Sequence, residues 1–139
     1  MKFSLDPKLE QDSKWVVDLP LCQVRLSHNA AFPWVILVPR LNDIVEIIDL
    51  SKEAQEQLLI EIRQTSQIVN KLYKPKKLNV ANLGNIVAQL HVHIIARFET
   101  DQAWPNPVWN SGFSDSYTTD ELNKVISQLK KGFQELEHG

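Results

Sequence analysis

The sequence has few cysteines and no long apolar run, features on which secreted, membrane and zinc-binding proteins depend. Its 139 residues include a single cysteine, Cys22, which excludes an internal disulfide and a structural zinc site built from several cysteines. The longest apolar run, residues 30–38, has nine residues and contains Pro33, so it is too short to span a bilayer. The first residues lack the extended apolar core of a secretory signal. We therefore expect a cytoplasmic protein with no membrane partner.

An excess of positive charge is also missing. Fifteen Lys and Arg residues stand against seventeen Asp and Glu residues, which gives a net charge of -2. A protein that binds nucleic acids through their phosphates normally has a clear basic excess. We therefore expect no nucleic-acid partner, whereas small phosphate ligands need only a few donors and are compatible with this charge.

The chain does have the composition and the periodicity of an α+β domain. With 43% hydrophobic and 23% charged residues it is typical of globular domains. Apolar and alternating segments predict about five strands, at residues 15–19, 21–27, 34–38, 78–81 and 90–98. Apolar residues at steps of three and four predict helices at 51–73 and 119–137, with Ser51 and Thr118 as caps. This order of elements favours a mainly antiparallel sheet with one long central helix and a C-terminal helix.

The segment 82–97 contains the residues that suggest chemistry. Only four histidines are present, and two of them, His91 and His93, lie two residues apart in a predicted strand. Because side chains alternate between the faces of a strand, Gln89, His91 and His93 share one face and the opposite face is apolar. Three interpretations are open: an exposed strand face with incidental histidines, two ligands of a metal site, or covalent catalysis in which a neutral imidazole attacks phosphorus.

The wider pattern resembles the histidine triad (HIT) family. Residues 89–95 read Gln-φ-His-φ-His-φ-φ, where φ is apolar, and residues 82–87 read Asn-x-Gly-Asn-x-Val. Upstream, the strand at 32–40 ends in a Pro-basic pair, and the long helix falls between the two segments, as it does in the family. The resemblance covers roughly residues 20–100. It implies one HIT-like domain over residues 1–139, with a core at about 15–100 and an aromatic loop and helix at 101–139.

The resemblance implies a hydrolase or nucleotidyl transferase that cleaves a nucleoside phosphate at the α-phosphorus through a nucleotidyl-histidine intermediate. The substrate would be a nucleotide, and no cofactor or metal would be needed. His91 corresponds to the family's nucleophile, and His93 to the histidine near the leaving group. The candidates for phosphate, ribose and further ligand contacts are Asn85, the backbone amides of Ile86 and Val87, either His28 or Asn29, and Asn82.

Gln89 departs from the family pattern, since the family has its first histidine at this position. Glutamine keeps a donor and an acceptor but cannot be protonated. We expect Gln89 to support the site while a backbone carbonyl orients the nucleophile, so that chemistry survives with a changed rate or substrate choice. The alternatives are a non-catalytic nucleotide-binding or interaction module and a His-x-His metal-binding protein.

Several residues outside this segment carry weaker expectations. The long helix has a predicted apolar stripe of Ala54, Leu58, Ile62, Thr65, Val69 and Leu72. Leu59, Ile60 and Ile68 flank this stripe, and the resemblance implies a homodimer formed through a comparable helix. We expect Trp104 and Trp109 to belong to a packed C-terminal flap, with a surface that contacts a base or a partner as the alternative. We expect Arg97 to be solvated or salt-bridged.

Overall fold

The computed structural model describes residues 2–138 and confirms the α+β class. Its elements, in chain order, are α1 (Pro7–Asp12), β1 (Ser13–Asp18), β2 (Cys22–Ser27), β3 (Trp34–Pro39), α2 (Lys52–Tyr73), β4 (Lys77–Ala81), β5 (Val92–Arg97) and α3 (Thr119–His138). A 3-10 turn, Ile47–Asp49, precedes α2. Within the described part of the chain, none of the helices has both the length and the hydropathy needed to cross a membrane.

The strands form one antiparallel sheet of five strands in the order β1-β2-β3-β5-β4. β5 therefore lies between β3 and β4, which makes it an interior strand. His93 is paired with Ile36 of β3 on one side and with Ala81 of β4 on the other. This register fixes which side chains of β3 are the neighbours of His93.

The predicted fifth strand, residues 90–98, is too long at both ends. The backbone N–H of Leu90 donates to the carbonyl of Ile44, in the loop before α2, and not to a neighbouring strand. The segment therefore joins the sheet only at Val92, and His91 lies directly before β5. At the other end, the N–H of Phe98 donates to the side chain of Asp101.

The helix α2 begins as the sequence predicts, and its buried face matches the predicted stripe in part. The hydroxyl of Ser51 accepts a hydrogen bond from the N–H of Ala54 at 3.1 Å. The buried residues are Leu58, Glu61, Thr65, Ile68 and Val69. Leu72, a member of the predicted apolar stripe, is exposed, whereas Ile68, predicted to flank the stripe, is buried because α3 packs against that side of α2. Leu59 and Ile60 are exposed, and the homodimer stays a prediction.

A buried carboxylate joins α2 to the sheet. Glu61 is fully buried and accepts hydrogen bonds from the backbone N–H groups of Leu21 and Cys22, at 2.9 and 2.7 Å. The side chain of Gln57 donates a third bond at 2.7 Å. The thiol of Cys22 is itself fully buried, and this burial, together with the charge of Glu61, raises its pKa. The start of β2 is therefore fixed against the middle of α2.

The helices α2 and α3 approach closely at a glycine. A β-carbon placed on Gly132 of α3 would lie 2.7 Å from Cγ2 and 3.2 Å from Cγ1 of Ile68. Because Ile68 is buried and β-branched, it has little freedom to move away.

Gly132→Ala is expected to destabilise the fold by about 1 kcal/mol, although alanine is normally the better helix former. The helix gains about 1 kcal/mol from alanine, but overpacking a well-packed interior costs about 1–3 kcal/mol. Urea unfolding of the two proteins measures the difference. In an Ile68→Ala background, Gly132→Ala should be neutral or stabilising. An equal loss of unfolding free energy in both backgrounds would contradict the proposed contact between Gly132 and Ile68.

The loop after β5 is held by a buried ion pair, which confirms the salt-bridged expectation for Arg97. Its side chain is 2% exposed, and its Nε and Nη2 donate to the carboxylate of Asp101 at 2.8 and 3.1 Å. Further bonds go to Asn79 Oδ1 and to the carbonyl of Asn106, both at 2.8 Å. The guanidinium also lies 5.8 Å from the ring of Trp104. This anchor fixes the start of the loop that carries Trp109.

Candidate active site

Two histidine rings lie side by side at the start of β5. His91 directly precedes this strand and His93 is its second residue, and each is only 6% exposed. The ring centroids are 4.8 Å apart, and the ring planes meet at 76°. Both side chains line the same cavity. The two rings are therefore close enough to act on one small group of a bound molecule.

The backbone carbonyl of Gln89 selects the tautomer of His91. Nδ1 of His91 lies 2.7 Å from this oxygen. A carbonyl oxygen only accepts, so Nδ1 bears the hydrogen and donates it. In the neutral ring the lone pair is therefore on Nε2. An imidazole held in this form is a competent nucleophile at Nε2.

His93 has the opposite tautomer. The indole N–H of Trp34 donates to Nδ1 of His93 at 2.9 Å, and an indole can only donate. The neutral ring of His93 therefore has its hydrogen on Nε2. Burial, and secondarily the neighbouring His91, lowers the pKa of His93 to about 3. The ring of Trp109 packs edge-on against His93, with centroids 5.0 Å apart.

A cavity of about 670 Å³ lies over the two histidines. This volume is within the range of small-molecule binding sites. Seven of the nine candidate site residues line it: His28, Asn29, Asn85, Ile86, Val87, His91 and His93. Asn82 and Gln89 do not line it. The cavity brings together the turn after β2, the loop before β5 and the two histidines.

The two candidates for a ribose contact, His28 and Asn29, have different surroundings in the structure. The side chain of Asn29 donates to the carbonyl of Phe113 at 3.2 Å and accepts from the N–H groups of Ala31 and Asp115, at 3.0 and 3.2 Å. Asn29 therefore holds the C-terminal loop against the cavity. His28 is exposed and lines the same cavity, and a ribose contact by either residue stays a prediction.

Gln89 was expected to support the histidines through its side chain, and the structure gives that side chain another position. Its Nε2 donates to the carbonyl of Ser4 at 2.9 Å, and its Oε1 accepts from the N–H of Asp6 at 2.8 Å. Only its backbone carbonyl reaches His91. Because the chain turns between Gln89 and β5, strict alternation of side chains fails at this residue. The side chain of Gln89 therefore fastens the N-terminal segment that leads into α1.

Gln89→Ala should speed amide hydrogen exchange at Asp6 about fivefold, since one hydrogen bond contributes about 1 kcal/mol. Exchange followed by NMR measures this rate directly. Gln89→Glu is the matched control, because a carboxylate still accepts from Asp6 while it no longer donates to Ser4. Unchanged exchange at Asp6 in the alanine variant would contradict the anchoring role.

Sequence reasoning missed several residues that complete the cavity. Leu9 and Asp12 of α1 reach it because long-range bonds fasten the N-terminal segment beside β5. Trp34 and Ile36 reach it from β3, and their spacing of two residues is the only signal the sequence offered. Trp109, for which the sequence favours a packed flap and leaves a ligand surface as the alternative, also lines the cavity.

Few charged side chains line the cavity. Its lining contains one lysine, Lys8, and two aspartates, Asp12 and Asp115. Lys8 and Asp12 pair with each other at 3.1 Å. Among the described residues there is no group of three or more His, Cys, Asp or Glu side chains arranged to hold a metal ion.

Comparison with solved structures shows close relatives. A histidine triad protein from Bradyrhizobium japonicum is 44% identical, with a TM-score of 0.93 over 95% of this chain and 98% of that chain. A histidine triad protein from Marinobacter aquaeolei is 39% identical, with a TM-score of 0.93 over 98% and 99% of the two chains. At 15% identity the fold alone is shared with a diadenosine triphosphate hydrolase from Plasmodium falciparum, with a TM-score of 0.62 over 94% and 80%.

A search of curated proteins found no match. The model of the HIT domain family matches residues 8–100, which include the strands, the long helix, His91 and His93. The family match and the two close relatives agree, and the chain belongs to the histidine triad family.

Proposed function

We propose that this protein is a nucleotide hydrolase or nucleotidyl transferase that works through a covalent nucleotide on His91. Membership of the HIT family supports a function of this general type. The observation that carries the specific proposal is the bond from His91 Nδ1 to the carbonyl of Gln89, at 2.7 Å. It leaves the lone pair of Nε2 free in a ring that lines the cavity.

In the first step, the lone pair of His91 Nε2 attacks the α-phosphorus of a nucleoside phosphoanhydride, ester or phosphoramidate. A P–N bond forms, the bond from phosphorus to the leaving group breaks, and its electron pair departs with the leaving group. The ring of His91 becomes cationic, since Nδ1 keeps its hydrogen. The carbonyl of Gln89 stabilises this charge, because a hydrogen bond from a charged donor is stronger than one from a neutral donor.

In the second step, water or another acceptor attacks the same phosphorus. The P–N bond breaks, its electrons return to Nε2, and His91 regains its neutral form. When water is the acceptor, one of its protons passes to solvent and the product is a nucleoside monophosphate. Because the protein itself supplies the nucleophile, the scheme needs no metal and no cofactor.

The loop before β5 provides donors for the phosphoryl oxygens. Gly84 has a φ of +75° and turns this loop over the cavity. No hydrogen bond within residues 2–138 engages the backbone N–H groups of Ile86 and Val87 or the side chain of Asn85. Free donors beside the histidines suit the charge that develops on phosphoryl oxygens in the transition state.

Trapping of the covalent intermediate tests the proposal. Adenosine conjugates of the three classes are mixed with the enzyme and quenched within one turnover, and the peptide that contains His91 is analysed by mass spectrometry. We expect a nucleotidyl group on His91 and release of AMP. Turnover without an adduct on His91 would overturn the mechanism. Affinity for AMP without turnover of any conjugate would indicate a binding module instead.

A further inference from the structure

The hydrogen bond from the indole N–H of Trp34 to Nδ1 fixes the neutral tautomer of His93. We propose that Trp34 is a positioning residue that keeps His93 a hydrogen-bond donor and not an acid, so that the site selects substrates whose leaving group departs as an anion. The inference rests on the proposed function and assigns to it a class of leaving group: phosphates, carboxylates and acidic phenols in preference to alkyl amines and alkyl alcohols.

The sheet sets the position of Trp34. The residue opposite His93 in the β3–β5 pairing is Ile36, and Trp34 is two residues away from Ile36 on the same face. A large side chain at this diagonal position reaches its neighbour on the next strand. The indole N–H meets His93 Nδ1 at 2.9 Å, and the ring of Trp109 lies 5.5 Å from that of Trp34. The indole therefore packs in one cluster with the rings of His93 and Trp109, which also contact each other.

This contact limits what His93 can do with a proton. To act as a general acid, the ring must first carry hydrogens on both nitrogens, and the second would point at the N–H of Trp34. The neutral ring can donate its Nε2–H to a departing oxygen, but giving that proton away would create an imidazolate. The leaving group therefore takes the bonding electron pair, departs as an anion, and acquires a proton from solvent afterwards if it needs one.

The other titratable groups at the cavity do not change this conclusion. They are His91, which is the nucleophile, and His28, Lys8, Asp12 and Asp115 around the opening. No hydrogen bond within the described residues joins any of these five side chains to His93. The low pKa of His93, about 3, agrees with the same geometry.

The first experiment observes His93 without using activity. Nitrogen-15 NMR of the imidazoles, recorded between pH 4 and pH 8, distinguishes the two neutral tautomers and the cation. Wild-type His93 should stay in the Nε2–H form over this whole range. In Trp34→Phe, which keeps an aromatic ring and removes the donor, its pKa should rise by at least about one unit. A wild-type His93 that titrates within this range would overturn the proposal.

The second experiment measures leaving-group dependence. The substrates are esters of AMP with phenols of increasing pKa and one alkyl phosphoramidate of AMP. Wild-type kcat/KM should fall steeply as the phenol becomes less acidic. At pH 5, Trp34→Phe should reduce the ratio of kcat/KM between the substrates with the best and the worst leaving group by tenfold or more. The reason is that a protonatable His93 can supply general acid catalysis.

Trp109→Phe is the matched control, since Trp109 touches the same ring but donates no hydrogen bond to it. Whatever its effect on the overall rate, Trp109→Phe should leave unchanged the kcat/KM ratio between the best and the worst leaving group and the tautomer of His93. If this kcat/KM ratio falls equally in both variants, or falls in neither variant, the role of Trp34 would be overturned. A wild type that turns over none of the esters would overturn the proposed function instead, and the NMR result would still decide the tautomer.

Discussion

His91→Ala is expected to lower kcat by about 10⁴- to 10⁶-fold, the size of effect seen when an enzyme loses its covalent nucleophile. Alanine removes the only lone pair that the proposed mechanism uses to attack phosphorus. Neither His93, whose Nδ1 accepts from Trp34, nor the exposed His28 lies in a position to replace it. Steady-state hydrolysis of the best conjugate from the trapping experiment measures the loss.

The binding of product should survive the same change. The phosphate donors of the loop before β5 and the walls of the cavity do not depend on the ring of His91, so calorimetry should show AMP affinity within about tenfold of the wild type, or about 1.4 kcal/mol. His28→Ala is the matched control, a histidine of the same cavity with no proposed covalent role. A His91→Ala protein that keeps more than a few per cent of the wild-type rate would contradict the nucleophile assignment.

Asp101→Ala is expected to destabilise the fold by about 3–5 kcal/mol, as is usual when one partner of a buried ion pair is removed. The carboxylate accepts two bonds from Arg97 and further bonds from the N–H groups of Phe98, Ala103 and Trp104. Alanine would leave the buried guanidinium with neutral partners only. Denaturant unfolding measures the loss, and Asp101→Asn, which keeps an acceptor, should give an intermediate value.

The matched control for Asp101 is Glu99→Ala, which removes an ion pair on the surface of the same loop. Glu99 and Lys76 lie 3.4 Å apart with side chains that are 64% and 62% exposed, so the loss should be at most about 1 kcal/mol. Equal losses in the two variants would show that burial does not set the strength of the Arg97–Asp101 pair.

The same carboxylate predicts how stability depends on pH. Burial alone would raise the pKa of Asp101, but the hydrogen bonds from Arg97, Phe98 and Trp104 outweigh it and lower the pKa to about 2. The unfolded chain has the ordinary value of about 3.9. The contribution of Asp101 is therefore complete above about pH 4 and is lost as the pH falls through about 2. Asp101→Asn should flatten the stability profile in that window.

The parts of the fold that local chemistry determines were predictable from the sequence. Ser51 and Thr118 cap the helices where expected, because their hydroxyls accept bonds from N–H groups three residues along the chain. The spacing of His91 and His93 predicted that the two side chains share one face. That spacing is a local property, and so it survives the late start of β5.

The rest of the site depends on contacts between distant residues. The bond from Trp34 to His93 joins residues 59 apart, and it exists only because β3 pairs with β5 in one register. The bond from the N–H of Asp6 to Oε1 of Gln89 spans 83 residues. A sequence pattern could show that Gln89 alternates with the histidines, but not that its side chain would find better partners in the N-terminal segment.

Cys22, the one thiol of the chain, can report on transient separation of the long helix from the sheet. Cys22 is shielded behind α2, and its raised pKa keeps the reactive thiolate scarce. A soluble alkylating reagent can therefore modify it only in molecules whose sheet and long helix have separated. The rate of labelling under native conditions would then measure how often the sheet and the long helix separate. It needs no engineered probe, and no second sulfhydryl interferes.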